Sequence, residues 1–274
     1  VLEKAAISTP AGSRVVRAIA ILGDSVGVGI GDPAADGGWR GYGPLLAEAL
    51  GQAELVNLAS SGARIGNVRD RQLPQAVRAR PDVTVLQAGI NDTLRSDFDP
   101  ARLHDDLDHI VATLTSAGAM VVLVRYHDHG RVFRIPGPLS RALAARIEVL
   151  NTILDALALR HQASIVDLSQ LHGIYQAAAW SVDRLHPSEL GHRMLARALA
   201  VRLAESGAVV NGEVSLECLG GAQATRVEHL AWLLFKGVPW LFQRGGDLVP
   251  YALATMLRDV RIRASRRDVG QRTS

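Results

Sequence analysis

VVRAIAILGDS, residues 15–25, joins a short apolar run to a polar turn. Residues 15–22 are rich in β-branched side chains and stop at Gly23, the pattern of a buried strand. Gly23-Asp24-Ser25 then places a small residue and two polar side chains where that strand ends. The same alternation recurs along the chain. Residues 54–58, 82–87 (DVTVLQ), 119–124 (AMVVLV) and 163–168 (ASIVDL) are further short apolar runs. Between them lie helical patterns over 44–50, 100–117 and 140–160, and a closing helix over 188–204 follows the last run. In the second, Leu103, Leu107, Ile110, Val111 and Leu114 share a face; in the third, Leu143, Ile147, Leu150, Ile153, Leu154 and Leu157 do. Near-continuous apolar strands alternating with helices predict an α/β fold, a three-layer α/β/α sandwich around a parallel sheet. Ligands of such sheets bind beyond the C-terminal ends of the strands, so the residues there carry the functional reading.

Composition narrows the class without naming a chemistry. The 274 residues are 48% hydrophobic and 21% charged, with mean hydropathy +0.12, too apolar for a disordered chain and long enough for a large core. One cysteine, Cys218, excludes an internal disulfide and fits a reducing compartment. A formal charge of +3 is too small to argue for a nucleic-acid partner. No basic start leads into an apolar stretch with a cleavage site, and no run reaches the roughly 18 apolar residues of a spanning helix. The expected location is cytoplasmic, with peripheral membrane contact as a second option.

Four strand ends carry polar signatures. Gly23-Asp24-Ser25 follows the first strand, Asn57-Leu58-Ala59-Ser60-Ser61-Gly62 the second and Gly89-Ile90-Asn91-Asp92 the third. Asp183-Arg184-Leu185-His186-Pro187 comes a short connection beyond the fifth. A serine hydroxyl is a poor nucleophile until a base takes its proton during attack. His186 is the candidate base for Ser25, and Asp183, three residues earlier, is the candidate to hold its ring and stabilise the imidazolium. Acyl transfer also needs donors aimed at the developing oxyanion. The backbone N–H groups of Ser25 and Gly62 and the side-chain amide of Asn91 are the candidates. Glycine at 62 keeps the approach of substrate uncrowded.

The four blocks, in this order, resemble the SGNH hydrolases, also called GDSL esterases or lipases. The resemblance runs from about residue 15 to residue 204. It implies a flavodoxin-like SGNH hydrolase fold, Ser25, Gly62, Asn91 and His186 as the residues that name the family, and Asp183 as the third member of the triad. It implies serine ester hydrolysis of a small-molecule ester through an acyl-enzyme, with no cofactor and no metal. The same triad serves acyl transfer to an alcohol, carbohydrate deacetylation or lysophospholipid cleavage. A non-catalytic binding or membrane-associated module, working through the C-terminal segment, is the alternative of another class.

Each residue also has a plainer explanation. A serine after a strand often caps a helix, an asparagine often makes a local turn, and a histidine before proline can simply open the last helix. Asp24 and Asp92 are expected to bond local backbone, and His192 to be structural. Gly23-Asp24-Ser25-Val26-Gly27 also matches the G-x-S-x-G elbow of α/β-hydrolases, but too little chain precedes it, and the match is read as coincidental. His127 and His129 have a spacing that two metal ligands could use, without a third partner; a polar loop near the substrate mouth is the preferred reading. Residues 26–43, with Trp39, Arg40 and Tyr42, and residues 127–139, with Arg131, Phe133, Arg134 and Pro136, are candidate borders of the cleft or plain connections.

The expected organisation is a hydrolase domain over 14–207 and a mostly helical extension of unknown role over 208–274. Residues 209–221 read as a loop. Residues 230–242 (LAWLLFKGVPWLF) hold two of the four tryptophans and two of the four phenylalanines, and 247–258 reads as a helix. Arg258, Arg261, Arg263, Arg266, Arg267 and Arg272 against Asp259 and Asp268 leave about +4 on the end of the chain. Packing on the hydrolase domain, a homodimer contact and a membrane-surface contact through 225–258 are the readings of the aromatic segment. No motif for specific nucleic-acid recognition accompanies the arginines.

Overall fold

Five of the apolar runs pair as one parallel sheet in the computed structural model, which describes residues 13–133 and 137–219. The strands are β1 (Ala18–Gly23), β2 (Glu54–Asn57), β3 (Val83–Gln87), β4 (Met120–Arg125) and β5 (Ser164–Asp167), in the order β2-β1-β3-β4-β5. This is the flavodoxin-like doubly wound order. β1 starts at Ala18, later than its apolar run. The Asp82 carboxylate accepts the N–H groups of Arg17 and Ala18 and so takes the place of a ladder partner there.

Alternation along the strands sorts the core into two layers. Ile19, Ile21, Val83, Val85, Val122 and Val124 face α2 (Tyr42–Ala49) and α9 (Glu189–Glu205), meeting Leu46, Leu195, Leu199 and Leu203. Ala20, Leu22, Leu86, Val121 and Leu123 face α6 (Pro100–Ser116) and α8 (Gly137–His161), meeting Leu107, Ile110, Leu114, Ile147 and Leu154. The three-layer α/β/α sandwich is thus in place. Caps explain two of the helix starts. Asp99 accepts the N–H groups of Ala101 and Arg102 ahead of α6, and Ser188 that of Gly191 ahead of α9.

Short helices were not legible in the sequence. α1 (Ser25–Val28), α5 (Ile90–Thr93) and α7 (His129–Phe133) are single turns at strand ends. α3 (Ile65–Asn67) and α4 (Leu73–Ala79) flank a widened turn, Val68–Gln72. Gly66, Pro74 and several charges obscure the pattern of Ile65, Val68, Leu73 and Ala76 that buries this segment. Beyond residue 207 the chain runs on without regular structure to 219. The Asn211 N–H donates to Ala49 O, and Val214 enters the same core as α2 and α9. The aromatic segment 230–242, the helix expected at 247–258, the arginine-rich end, the contact expected through 225–258, and Arg134 and Pro136 lie outside the described residues. Among the described residues no helix is long and apolar enough to cross a membrane.

The end of β4 departs from expectation. His127 and His129 are not in a polar loop at a mouth. Both are buried, with rings stacked at 4.1 Å and 18°, and the His127 ring lies 4.8 Å from that of Trp180. Near-parallel rings direct their in-plane lone pairs side by side, an unfavourable arrangement for converging on one ion. Neither ring nitrogen of His127 has a hydrogen-bond partner among the described residues. Burial, reinforced by His129, pushes His127 down to about 2, and burial pushes His129 down to about 4.

A folded-state pKa below that of the free imidazole means that the unfolded chain takes up the proton first. His127 therefore favours the native state least at low pH, with the loss beginning as pH falls through about 6.5. The His127→Phe variant is expected to gain stability relative to the parent by about 1.4 kcal/mol per pH unit below that point. Urea unfolding of both at pH 7, 6 and 5 measures the gap; a gap independent of pH would contradict a neutral, buried His127.

Candidate active site

β1 and β3 are neighbours whose following helices cover opposite faces of the sheet, and the crevice between their ends is where this fold binds ligands. Ser25 opens α1 immediately after β1, and the Asp24 side chain caps that turn by accepting the Val26 N–H at 3.1 Å. Gly23 is required by close approach. It has φ +152°, and a Cβ there would lie 2.1 Å from the carbonyl oxygen of Gln87 on β3. Gln72 clamps the same residue from the other side. Its Oε1 accepts the Gly23 N–H at 2.8 Å, and its Nε2 donates to Gly23 O at 2.9 Å. No sequence signal singled out Gln72; its role comes from a glutamine side chain buried in a helical segment that the sequence did not announce.

Asp183 and His186 come to Ser25 on the turn before α9. His186 Nε2 lies 2.9 Å from Ser25 Oγ, and His186 Nδ1 lies 2.6 Å from Asp183 Oδ2. The other carboxylate oxygen, Oδ1, accepts from Ser181 Oγ at 2.7 Å, Leu185 N at 2.8 Å and His186 N at 2.9 Å. These bonds hold a turn in which Arg184 takes φ +54°, a conformation that costs a non-glycine residue about 1 kcal/mol. Burial pushes the Asp183 carboxyl up, but hydrogen bonding to His186, its charge and the Ser181 hydroxyl together bring it below the ordinary carboxylate value. Asp183 is therefore suited to hold a charged imidazolium.

Asn91 reaches the crevice from the end of β3, and Gly62 lies in the loop after β2, one residue before the Ala63 carbonyl that Asn91 bonds. Gly62 has φ +75° with open space beside its Cα, so the left-handed backbone is what asks for glycine there. Asn91 lies in α5. Its Nδ2 donates to Ala63 O at 3.1 Å, and Asp24 Oδ2 stands 3.5 Å away. The adjacent Asp92 joins the two loops: Oδ2 accepts the Ile65 N–H at 3.1 Å, and Oδ1 accepts from Arg64 Nε at 3.2 Å. Asp92 thus departs from the expectation of a local backbone contact: it bonds the backbone of a segment 27 residues away, a pairing that no local pattern announces. Asp24 is 1% exposed, and burial pushes its carboxyl up to about 7.

The expected border residues divide. Trp39 is 48% exposed, whereas Tyr42 is fully buried in the core under β1 and Arg40 is paired with Asp32 and Glu189. Arg131 lies over the Tyr175 ring, 3.6 Å from its centroid. His192 is buried and bonds Ile30 O through Nε2 at 3.1 Å, a structural position as expected. Among the described residues, no group of three or more His, Cys, Asp or Glu could hold a metal ion.

Residues 21–194 match the model of the GDSL-like Lipase/Acylhydrolase family. The structure is similar to that of the psychrotrophic esterase EstA from Pseudoalteromonas sp., at 19% identity and TM-score 0.53, covering 69% of this chain and 98% of that one. It is similar to LAE5, an alpha/beta hydrolase enzyme from the metagenome of Lake Arreo, at 22% identity and TM-score 0.57, covering 69% and 95%. It is also similar to a catalytic mutant of Axe2, an acetylxylan esterase from Geobacillus stearothermophilus, at 18% identity and TM-score 0.55, covering 68% and 94%. These likenesses concern the fold. No curated protein matches the sequence. The family match spans well over half of the chain and takes in all four polar blocks, so the protein belongs to the GDSL-like lipase/acylhydrolase family and is a serine ester hydrolase.

Proposed function

We propose that the protein hydrolyses small-molecule esters through a Ser25–His186–Asp183 triad and an acyl-enzyme on Ser25. The observation that carries this reading is the unbroken line Asp183 Oδ2–His186 Nδ1 and His186 Nε2–Ser25 Oγ, at 2.6 and 2.9 Å. As Ser25 Oγ attacks the ester carbonyl carbon, its proton passes to His186 Nε2, and Asp183 stabilises the imidazolium. The carbonyl π electrons move onto oxygen, and the N–H groups of Ser25 and Gly62 and the Asn91 amide are the donors that receive that charge. Collapse of the tetrahedral intermediate breaks the bond to the alcohol oxygen, which takes the proton from His186. Water then repeats the sequence: His186 takes its proton, its oxygen attacks the acyl carbon, and Ser25 Oγ leaves with the proton returned.

Asn91 fits the donor role through its position. One hydrogen of Nδ2 is engaged by Ala63 O, while the contact to Asp24 Oδ2 is at the long limit for a hydrogen bond, leaving the second hydrogen available to an oxyanion. The chemistry uses residues 25 to 186, and we assign it to a catalytic domain over 14–207.

Two substitutions test this assignment. Ser25→Ala is expected to lower turnover of an activated short-chain ester by about 10⁴–10⁶-fold, as loss of a triad member does elsewhere. Covalent labelling of Ser25 by a fluorophosphonate, located by peptide mass spectrometry, is expected in the parent protein; a parent that stays unlabelled, or an active Ser25→Ala variant, would overturn the triad. Asn91→Ala is expected to lower kcat by about 10²–10³-fold with little change in KM. A change confined to KM in steady-state kinetics would remove Asn91 from the oxyanion site.

A further inference from the structure

We propose that Arg40 is a positioning residue for the reaction: its guanidinium clips the loop that follows Ser25 to the helix that follows His186, and so sets the spacing of nucleophile and base. This inference rests on the triad reading.

Residues 29–41 form the spacer. The loop starts on the turn of the nucleophile, where the Gly29 N–H donates to Val26 O and the Ile30 N–H to Ser25 O. Its far end closes on its beginning, since a Cβ on Gly41 would lie 2.4 Å from Gly29 Cα. In between, Gly31 is pressed against the loop of the base. With φ +102°, a Cβ there would lie 2.0 Å from Pro187 O and 3.2 Å from the Cβ of His186. A shift of this loop therefore reaches both Ser25 and His186 through backbone contact.

A cluster of four charges holds the spacer, with Asp32, Glu189 and Arg193 buried and Arg40 partly so. Arg40 makes a two-pronged contact with Asp32, Nε to Oδ2 and Nη2 to Oδ1, each at 2.9 Å. Its Nη2 also stands 2.7 Å from Glu189 Oε1. Glu189 is the first residue of α9 and lies three positions after His186. Arg193 balances the second carboxylate, with Nε 3.0 Å from the same Oε1. The planar fork of arginine lets one side chain bridge two elements with defined directions, which lysine cannot copy. The same Glu189 oxygen accepts the Leu219 N–H at 2.8 Å, and Arg193 Nη1 donates to Ser215 O at 3.0 Å. The segment before residue 220 is thus fastened to the clip as well.

The test compares Arg40→Ala and Arg40→Lys with the parent, and uses Arg197→Ala as control. Arg197 pairs with Glu213 on an exposed part of α9. For each protein, kcat and KM on an activated short-chain ester, the second-order rate of fluorophosphonate labelling at Ser25, and Tm are measured. Arg40→Ala is expected to lower kcat and the labelling rate together by about 10–100-fold, with KM within about twofold, because sub-ångström misplacement of reacting groups costs rate before affinity. Arg40→Lys keeps the charge but loses the fork, and is expected to recover part of that loss; the control is expected to match the parent. A folded Arg40→Ala protein with parental kcat and labelling rate would overturn the proposal, as would a loss confined to KM. Should Arg40→Ala fail to fold, Arg40→Lys decides: a fall in kcat at constant KM supports the clip, and parental kcat overturns it. Failure of the triad reading shows in the parent, which would not label at Ser25; failure of the clip shows only in the Arg40 variants.

Discussion

The backbone of Gly23 lies against the carbonyl of Gln87 with no room for a side chain between them. That approach brings the ends of β1 and β3 together at the switch point of the sheet. Ser25, just past one strand, and Asn91, just past the other, share one crevice as a result. Gln72 closes the arrangement by bonding both polar groups of the Gly23 backbone. A buried, fully bonded glycine backbone is stiff, because each N–H or C=O released from its partner there would be left without water. Ser25 thus follows directly from a tightly held stretch of backbone.

The partners of Ser25 arrive differently. Asp183 and His186 are carried by an irregular turn, held by polar contacts as well as by close packing against Gly31. One Asp183 oxygen accepts three donors, and the other faces the imidazole. Charge-assisted bonds of this kind are directional and strong in a low-dielectric surrounding. The proposed nucleophile and base need a common reference, and the loop between residues 29 and 41 touches the segments of both. Buried ion pairs are weak contributors to net stability because desolvation offsets their attraction. Their value at Asp32, Arg40 and Glu189 lies in fixed geometry.

Much of this was legible before the structure. The five strands follow from short apolar runs, and the long helices from apolar residues at helical spacing, because burial on a sheet face or a helix stripe leaves a period in the chain. The triad and oxyanion candidates were legible for another reason: their residue types sit next to strand ends, where this fold gathers ligands, and the structure brings Ser25, Asp183 and His186 within hydrogen-bond reach. The failures have the opposite character. Tyr42 and Arg40 are neighbours of Trp39, yet one is buried in the core and one is ion-paired and partly exposed, while Trp39 faces solvent. His127 and His129 are polar residues in a sequence window that suggests a loop, yet their rings stack on each other inside the protein, beside Trp180.

The order of residues alone carries the parallel α/β architecture, the family and the identities of the candidate nucleophile, base and oxyanion donors. Those are local properties: a period in hydrophobicity, or a residue type at a fixed offset from a strand. Three pairings emerge only in the folded chain. Gln72 holds Gly23, Asp92 ties the loop after β2 to the turn after β3, and Arg40 joins the two halves of the site. Such pairings connect residues tens to more than a hundred positions apart, and a glutamine, an aspartate or an arginine has the same local pattern whether its partner is another side chain or water.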